Sequence, residues 1–222
     1  MKKFAVIVAG GSGTRMKSST PKQFLLLHGK PLLWYTIQAF LQAYDDMQII
    51  LVLPEAHIDN DVIQSLLNER IRITAGGETR FHSVQNGLKL VEDNSLVFVH
   101  DGVRCLVSPA LIQGCGEQAA RLGSAIPAVT ATDSLRMEVD GRHRVIDRQT
   151  VRMIQTPQTF RSEIIIPAFE QPCSIHFTDE ATVVEASGKE VFLIEGEYEN
   201  IKVTRPIDLW FAEKILSERL AL

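Results

Sequence analysis

The stretch Phe4-Ala5-Val6-Ile7-Val8-Ala9, followed at once by Gly10-Gly11-Ser12-Gly13-Thr14-Arg15-Met16, decides how the rest of the chain is read. Six consecutive apolar residues suit a strand buried on both faces. The glycines behind it let the backbone approach a ligand and turn its N–H groups toward phosphate oxygens. A loop in that position lies at the carboxyl edge of the sheet, where open α/β sheets bind ligands. Two phosphate-binding signatures do not fit. Met16 stands where G-x-G-x-x-G needs its third glycine, and G-x-x-x-x-G-K-[ST] occurs nowhere. A plain connecting turn is the competing reading of the loop.

Outward from this start, strand-like and helix-like segments alternate. Apolar runs at 48–53, 71–74, 96–100 and 124–129 predict further strands. Between them, apolar residues recur at helical spacing. Pro31 opens the first such segment, with Leu33, Ile37, Phe40, Leu41 and Tyr44 on one face. Asp59 begins a second, with Val62, Ile63, Leu66 and Leu67 inward, and Phe81, Val84, Leu88 and Val91 mark a third. Ser108-Pro109 has the form of an N-cap and first helical position for a fourth, which Gly123 closes. This alternation predicts an α/β fold: a Rossmann-like, three-layer, mostly parallel sheet with helices on both faces.

The middle breaks the pattern. Leu135, Met137 and Val139 alternate with polar residues, Asp140-Gly141 follows, and 142–146 continues the alternation. A DG dipeptide between alternating runs signals a hairpin, so a β-arm at about 134–154 is expected to project from the sheet. Helices are then expected from Ser162, from a Thr178 cap to Gly188, and from Pro206 with Leu209, Ala212, Leu216 and Leu220 inward, with a strand at 191–194. No linker or repeat interrupts 1–222, which predicts a single domain.

Composition narrows the class. The 222 residues are 45% hydrophobic and 23% charged, which excludes a disordered chain. Twenty-three basic residues against 27 acidic ones give a charge of −4, against a nucleic-acid coat or a polybasic membrane surface. No apolar run approaches the ~20 residues of a membrane span, and the run after Met1-Lys2-Lys3 is too short for a signal sequence. Cys105, Cys115 and Cys173 form no C-x-x-C pair, as expected of a cytoplasmic, reducing compartment, and Cys105 is read as a buried structural thiol.

Arg15 and Lys22 bracket the glycine-rich loop. Two cations beside a ring of backbone N–H groups suit a triphosphate, and the apolar Phe24-Leu25-Leu26-Leu27 predicts that Lys22 is partly buried.

With Pro21-Lys22-Gln23-Phe24, the opening resembles the sugar-phosphate nucleotidylyltransferases. Six downstream runs narrow the likeness: Gly76-Gly77-Glu78-Thr79-Arg80-Phe81-His82-Ser83-Val84, His100-Asp101-Gly102-Val103-Arg104, Asp147-Arg148, Gln155-Thr156-Pro157-Gln158, Thr178-Asp179-Glu180-Ala181, and Asn200-Ile201-Lys202-Val203-Thr204-Arg205-Pro206. In order, they resemble the 2-C-methyl-D-erythritol 4-phosphate cytidylyltransferase family.

That resemblance implies a cytidylyl transfer from CTP to 2-C-methyl-D-erythritol 4-phosphate, releasing diphosphate, with Mg²⁺ in a single nucleotidyltransferase domain. It implies that Arg15 and Lys22 stabilise charge at the α-phosphate and leaving diphosphate, and that Lys202 and Arg148 hold the substrate phosphate. Ala9, Gly10, Gly11, Gly13, Gly77, Glu78 and Ser83 would bind the nucleotide. Asp101, Arg104 and Ser134 would meet the polyol phosphate, and Asp101 would lie near the metal. It further implies a homodimer joined through the β-arm, whose Arg148 and Ser134 complete the neighbour's site. The chain departs from the family pattern where Asp-Ala-Ala-Arg-Pro is replaced by Asp101-Gly102-Val103-Arg104-Cys105, and where Ser134 replaces a common threonine.

A ribitol-5-phosphate cytidylyltransferase is the alternative, since it shares most of these motifs. The run 202–206 and Asp147-Arg148 favour the methylerythritol enzyme. A nicotinamide-dependent oxidoreductase lacks its fingerprint here, and a nucleotide sensor would not need Lys202 and Arg148 aimed at a second phosphate.

Overall fold

The opening apolar run lies at the middle of the sheet in a computed structural model, which describes residues 1–11, 14–16, 18 and 20–220, with Thr14 and Leu220 by backbone alone. In chain order the first half comprises β1 (Lys2–Val8), β2 (Leu26–Leu27), β3 (Lys30–Pro31), α1 (Leu32–Ala43), β4 (Met47–Leu53), α2 (Asp61–Gln64), β5 (Ile71–Ala75), α3 (Arg80–Leu88) and β6 (Ser95–Asp101). The second half comprises α4 (Pro109–Leu122), β7 (Ser124–Thr130), β8 (Leu135–Val139), β9 (Arg142–Ile146), β10 (Arg152–Ile154), β11 (Gln158–Arg161), α5 (Ser162–Ala168), α6 (Glu180–Ala186), β12 (Leu193–Glu195) and α7 (Pro206–Leu220).

The main sheet runs β10-β7-β11-β6-β1-β4-β5, and β12 also pairs with β7, in parallel, off this path. β1, β4, β5 and β6 are parallel, while β11 lies antiparallel between β6 and β7. The sheet is thus mostly parallel, as the sequence predicts. β10 and β11 are not anticipated, because three- and four-residue strands carry no readable period.

Alternation within β1 sets up the three layers. Phe4 and Val6 pack on one face with Phe81 and Val84 of α3, Ile165 of α5 and Val184 of α6. Ala5 and Ile7 pack on the other with Ile37 and Phe40 of α1 and Ile112 of α4. All four β1 side chains are fully buried, and a large apolar one contributes ~1.5–3 kcal/mol by leaving water. A third cluster, including Leu27, Leu106, Val203 and Ala212, seats α7 beside the loops at the carboxyl edge.

Local signals hold in most places. Ser108 caps α4 by accepting from the Leu111 N–H, and Gly123 ends it at φ 98°. Asp140 and Gly141 both take positive φ, 51° and 72°, which is what a two-residue hairpin turn demands, and β8 pairs with β9 from Leu135 opposite Ile146 to Val139 opposite Arg142. Three expectations need correction. Pro31 stands at the N-cap position without a capping hydrogen bond, and α1 begins one residue later, at Leu32. The helix expected from Asp59 is one turn capped by Asn60, with Ile63 alone fully buried and Leu67 exposed. Asp179, not Thr178, caps α6; its carboxylate accepts from the Thr182 N–H, a shorter loop than Thr178 could close.

Candidate functional site

The carboxyl ends of β1, β4, β5 and β6 open into one cavity of about 430 Å³. Hydrogen bonds carry the parallel pairing past the strand ends. The Ala9 N–H donates to Val52 O, the Gly76 N–H to Leu53 O and the Gly102 N–H to Val8 O. Three loops are thereby fixed around the cavity.

One wall is the β5–α3 loop. Thr79 caps α3 through its hydroxyl, which accepts from the His82 N–H. The Ser83 hydroxyl donates to Thr79 O at 2.9 Å and accepts the Gly77 N–H at 3.1 Å. A side chain on Gly77 would place its Cβ 2.4 Å from His82 Cβ, so the turn closes only with glycine. Gly76, Gly77, Glu78 and Ser83 all line the cavity, opposite Ala9, Gly10 and Gly11. Gly13 lies outside the described residues.

The floor is Asp101, at the end of β6. Three cations surround its buried carboxylate: Arg80 Nη2 stands 3.5 Å from Oδ1, and Lys202 Nζ at 3.0 Å and Arg104 Nε at 3.4 Å share Oδ2. Burial alone would raise this carboxyl. Arg80, Lys202 and Arg104 outweigh it and hold Asp101 well below the usual carboxylate range.

Lys22 is buried in a short helical turn, with its stem 3.3 Å from where a Cβ on Gly11 would stand. Burial pushes its ammonium below the ordinary lysine range, and Lys202 and Arg15 add to the effect against the pull of Asp101. Among the described residues Lys22 has no carboxylate within ion-pair distance. A buried cation facing a cavity without a counter-charge suits an anionic ligand. Arg15 is exposed at the same edge.

The run Gln155-Thr156-Pro157-Gln158 is scaffolding. The Thr156 hydroxyl accepts the Asp101 N–H at 3.1 Å and pairs with His100 Nδ1 at 3.0 Å. Donating its own proton to Nδ1 leaves the proton of His100 on Nε2, which faces Arg104 O at 3.3 Å. Burial pushes the fully buried His100 down to about 3, so the ring is neutral. Gln155 exchanges hydrogen bonds with the Glu197 backbone, and Asn200 Nδ2 donates to Thr156 O. These bonds seat the segment that carries Lys202.

The structure therefore brings Lys22, Asp101, Lys202 and the glycine loops together, with Arg104 reaching the cavity through Asp101 and Asn200 O. Arg148 and Ser134 do not line the cavity of their own chain. Both are exposed on the arm, where Arg148 Nη1 donates to Thr132 O at 2.7 Å. Cys105 is buried and its thiol is pushed up to about 12, in keeping with a structural role. Sequence reasoning missed Arg80, which lines the cavity and joins Asp101 to the buried Glu180. The sole signal was membership of both residues in quoted motifs.

Comparison with known proteins agrees with this geometry. The family model described as IspD: 2-C-methyl-D-erythritol 4-phosphate cytidylyltransferase matches residues 4–218. A protein of that name from Bacteroides thetaiotaomicron is 45% identical, covering 97% of this chain and all of its own length. One from Bacteroides fragilis is 43% identical over 96% of this chain and 98% of its own. The crystal structure of the Thermus thermophilus protein so named superposes with a TM-score of 0.79 at 31% identity, covering 98% of this chain and 100% of that one. By model, relatives and fold alike, the chain belongs to the 2-C-methyl-D-erythritol 4-phosphate cytidylyltransferase family.

Proposed function

We propose that this chain transfers a cytidylyl group from CTP to 2-C-methyl-D-erythritol 4-phosphate, giving 4-diphosphocytidyl-2-C-methyl-D-erythritol and diphosphate. The observation that carries the reading is the cavity itself: Lys22, buried and without a counter-charge among the described residues, stands across from the Asp101–Lys202 pair and beside glycine-rich backbone.

The attacking group is a phosphate monoester, already an anion, so the reaction needs no general base. Its obstacle is the approach of two anions, and the chain answers with positioning and fixed positive charge. Lys22 and Arg15 offset the charge that builds on the α-phosphate and on the leaving diphosphate. Lys202 holds the substrate phosphate beside them, and Asp101 with Arg104 meets the polyol. Gly77, Glu78 and Ser83 flank the cytosine, and Ala9, Gly10, Gly11 and Gly13 follow the ribose and phosphates.

Mg²⁺ fits this donor set. The cavity holds a buried carboxylate, Asp101, and a magnesium ion that keeps its waters and phosphate oxygens needs only one carboxylate. Asp101 is the residue that would hold it, and the ion would supply further neutralisation of phosphate charge.

The arm supports a homodimer. Met137, Val139, Met153 and Ile154 are exposed, and an isolated two-stranded hairpin is marginal in water. Exchange of arms about a two-fold axis would cover them and carry Arg148 and Ser134 to the neighbour's substrate phosphate. Three thiols without a disulfide support a reducing, cytoplasmic setting, and among the described residues no helix is long and apolar enough to cross a membrane.

The test is diphosphate release with CTP and Mg²⁺, offering methylerythritol phosphate and ribitol 5-phosphate in parallel. Release with the first alone supports the assignment. Preference for ribitol 5-phosphate, or release with neither, refutes it.

A further inference from the structure

Glu180 is a fully buried carboxylate that the transfer chemistry does not use. Burying a charge is costly, and replacing a buried ion pair by apolar residues is often neutral or stabilising, so stability alone is a weak reason for one here. Its surroundings suggest a different task.

Glu180 opens α6, and that turn is tied down independently. The Asp179 carboxylate and Thr182 cap each other's backbone. The buried Gln158 of β11 accepts the Ala181 N–H at 2.8 Å and donates to Asp179 Oδ2 at 2.9 Å. From this anchored position Glu180 receives both ends of the Arg80 guanidinium, Nη2 at 3.1 Å from Oε2 and Nη1 closer still on Oε1. A bidentate fork fixes the plane as well as the place of an arginine. The same Nη2 then stands 3.5 Å from Asp101 Oδ1. Burial works against the charge of Arg80, but Glu180 and Asp101 raise it further, so it is permanently cationic.

The two oxygens of Asp101 thus face different partners. Oδ1 faces the Arg80–Glu180 fork, and Oδ2 faces Lys202 and Arg104. We propose that Glu180 is a positioning residue that acts through Arg80 to set the orientation of the Asp101 carboxylate toward the polyol phosphate. Without Glu180 the guanidinium keeps its charge and loses its anchor, and its pull on Asp101 then competes with that of Lys202. The proposal rests on the reading of Asp101 as a substrate-facing group. A strut that merely ties α3 to α6 would be a purely structural alternative.

A double-mutant cycle separates the two. Glu180→Gln, Asp101→Asn and the double variant are assayed as full chains for kcat and KM with both substrates, for CTP affinity by calorimetry, and for Tm. Loss of an outer partner of a functional carboxylate typically costs ~10–100-fold in activity. A loss of that size in kcat/KM for methylerythritol phosphate is expected from Glu180→Gln. CTP affinity should stay within about twofold, the spread of uncoupled sites. In the Asp101→Asn background the same substitution should cost less than about threefold, because the group it acts through is gone. If Glu180→Gln fails to fold, Arg80→Lys, which keeps the charge and loses the fork, should show the same pattern. Equal losses with and without the Asp101 carboxylate, or a fall in Tm with unchanged kinetics, would overturn the proposal. Full activity of Asp101→Asn by itself would refute the role of Asp101, and the relay with it.

Discussion

Lys202, on the loop before α7, and Asp101, at the end of β6, meet at 3.0 Å between Nζ and Oδ2. The ammonium is part-exposed while the carboxylate is buried, so the lysine end of the pair can turn to a phosphate without unburying the aspartate. Because Asp101 keeps Arg80 and Arg104, Lys202→Ala should leave the melting temperature nearly unchanged. Removing one charge-stabilising donor typically costs ~10²–10³ in kcat. We expect a loss of that order, with KM for the polyol phosphate raised and CTP affinity preserved, as read by steady-state kinetics and calorimetry.

Lys22 is a buried cation repelled by Lys202 and Arg15. Its removal relieves a cost in the free protein, so Lys22→Met should melt no lower than the parent chain. Its kcat should nevertheless fall by ~10²–10³, and Arg15→Ala should follow with a loss of the same kind. Turnover near the parent value in both variants would refute their placement at the phosphates.

His100 gives a pH signature. Burial pushes it from 6.5 to about 3, while the unfolded chain takes up a proton near 6.5. The unfolded state therefore binds more protons between these values, and the stability from a neutral His100 is complete above about 6.5 and lost as pH falls toward 3. At about 1.4 kcal/mol per unit, the loss between neutrality and pH 5 is roughly 2 kcal/mol. The low-lying Asp101 adds its own loss only at more acid pH. Urea unfolding at pH 7.5 and 5 should show this difference, and a His100→Gln chain should lose most of it.

Gly77→Ala would force Cβ against His82 Cβ, 2.4 Å away, and must shift the β5–α3 loop. Overpacking of this kind costs ~1–3 kcal/mol. If the moved groups flank the cytosine, as proposed, KM for CTP should rise while KM for the polyol phosphate stays close to the parent value. The same loop should favour CTP over ATP, since a purine forced into it leaves polar groups unpaired. Equal kcat/KM for the two nucleotides would contradict the placement of the base.

The arm is tested by complementation. Arg148→Ala and Lys22→Ala chains should each be nearly inactive. If arms are exchanged, a mixed dimer holds one site with both defects and one with neither. Mixing should then restore about half the parent activity per mixed dimer, the statistical share of intact sites in a two-fold assembly. Subunit exchange without recovery would place Arg148 in its own chain's chemistry, or outside it.

How much was readable in advance follows the range of the forces involved. β1, its glycine-rich loop, the Ser108 cap, the Gly123 stop and the Asp140-Gly141 hairpin are written in the sequence, because period, capping and turn geometry act over a few residues. Lys22 could be foreseen as partly buried from its apolar neighbours. The arrangement of the site could not. Arg80 and Glu180 are 100 positions apart, and nothing local distinguishes either from a solvent-exposed charge. Their pairing exists because α6 is anchored on β11 and α3 on β5, which brings a buried carboxylate and a part-buried guanidinium together over Asp101. Thr156 and His100 are likewise joined only once β11 is inserted antiparallel beside β6. The sequence by itself determined the layers and the loops that line the cavity. The tertiary structure decided which buried charges answer one another, because the energy of a desolvated charge depends on the few ångströms to its partner and not on its place along the chain.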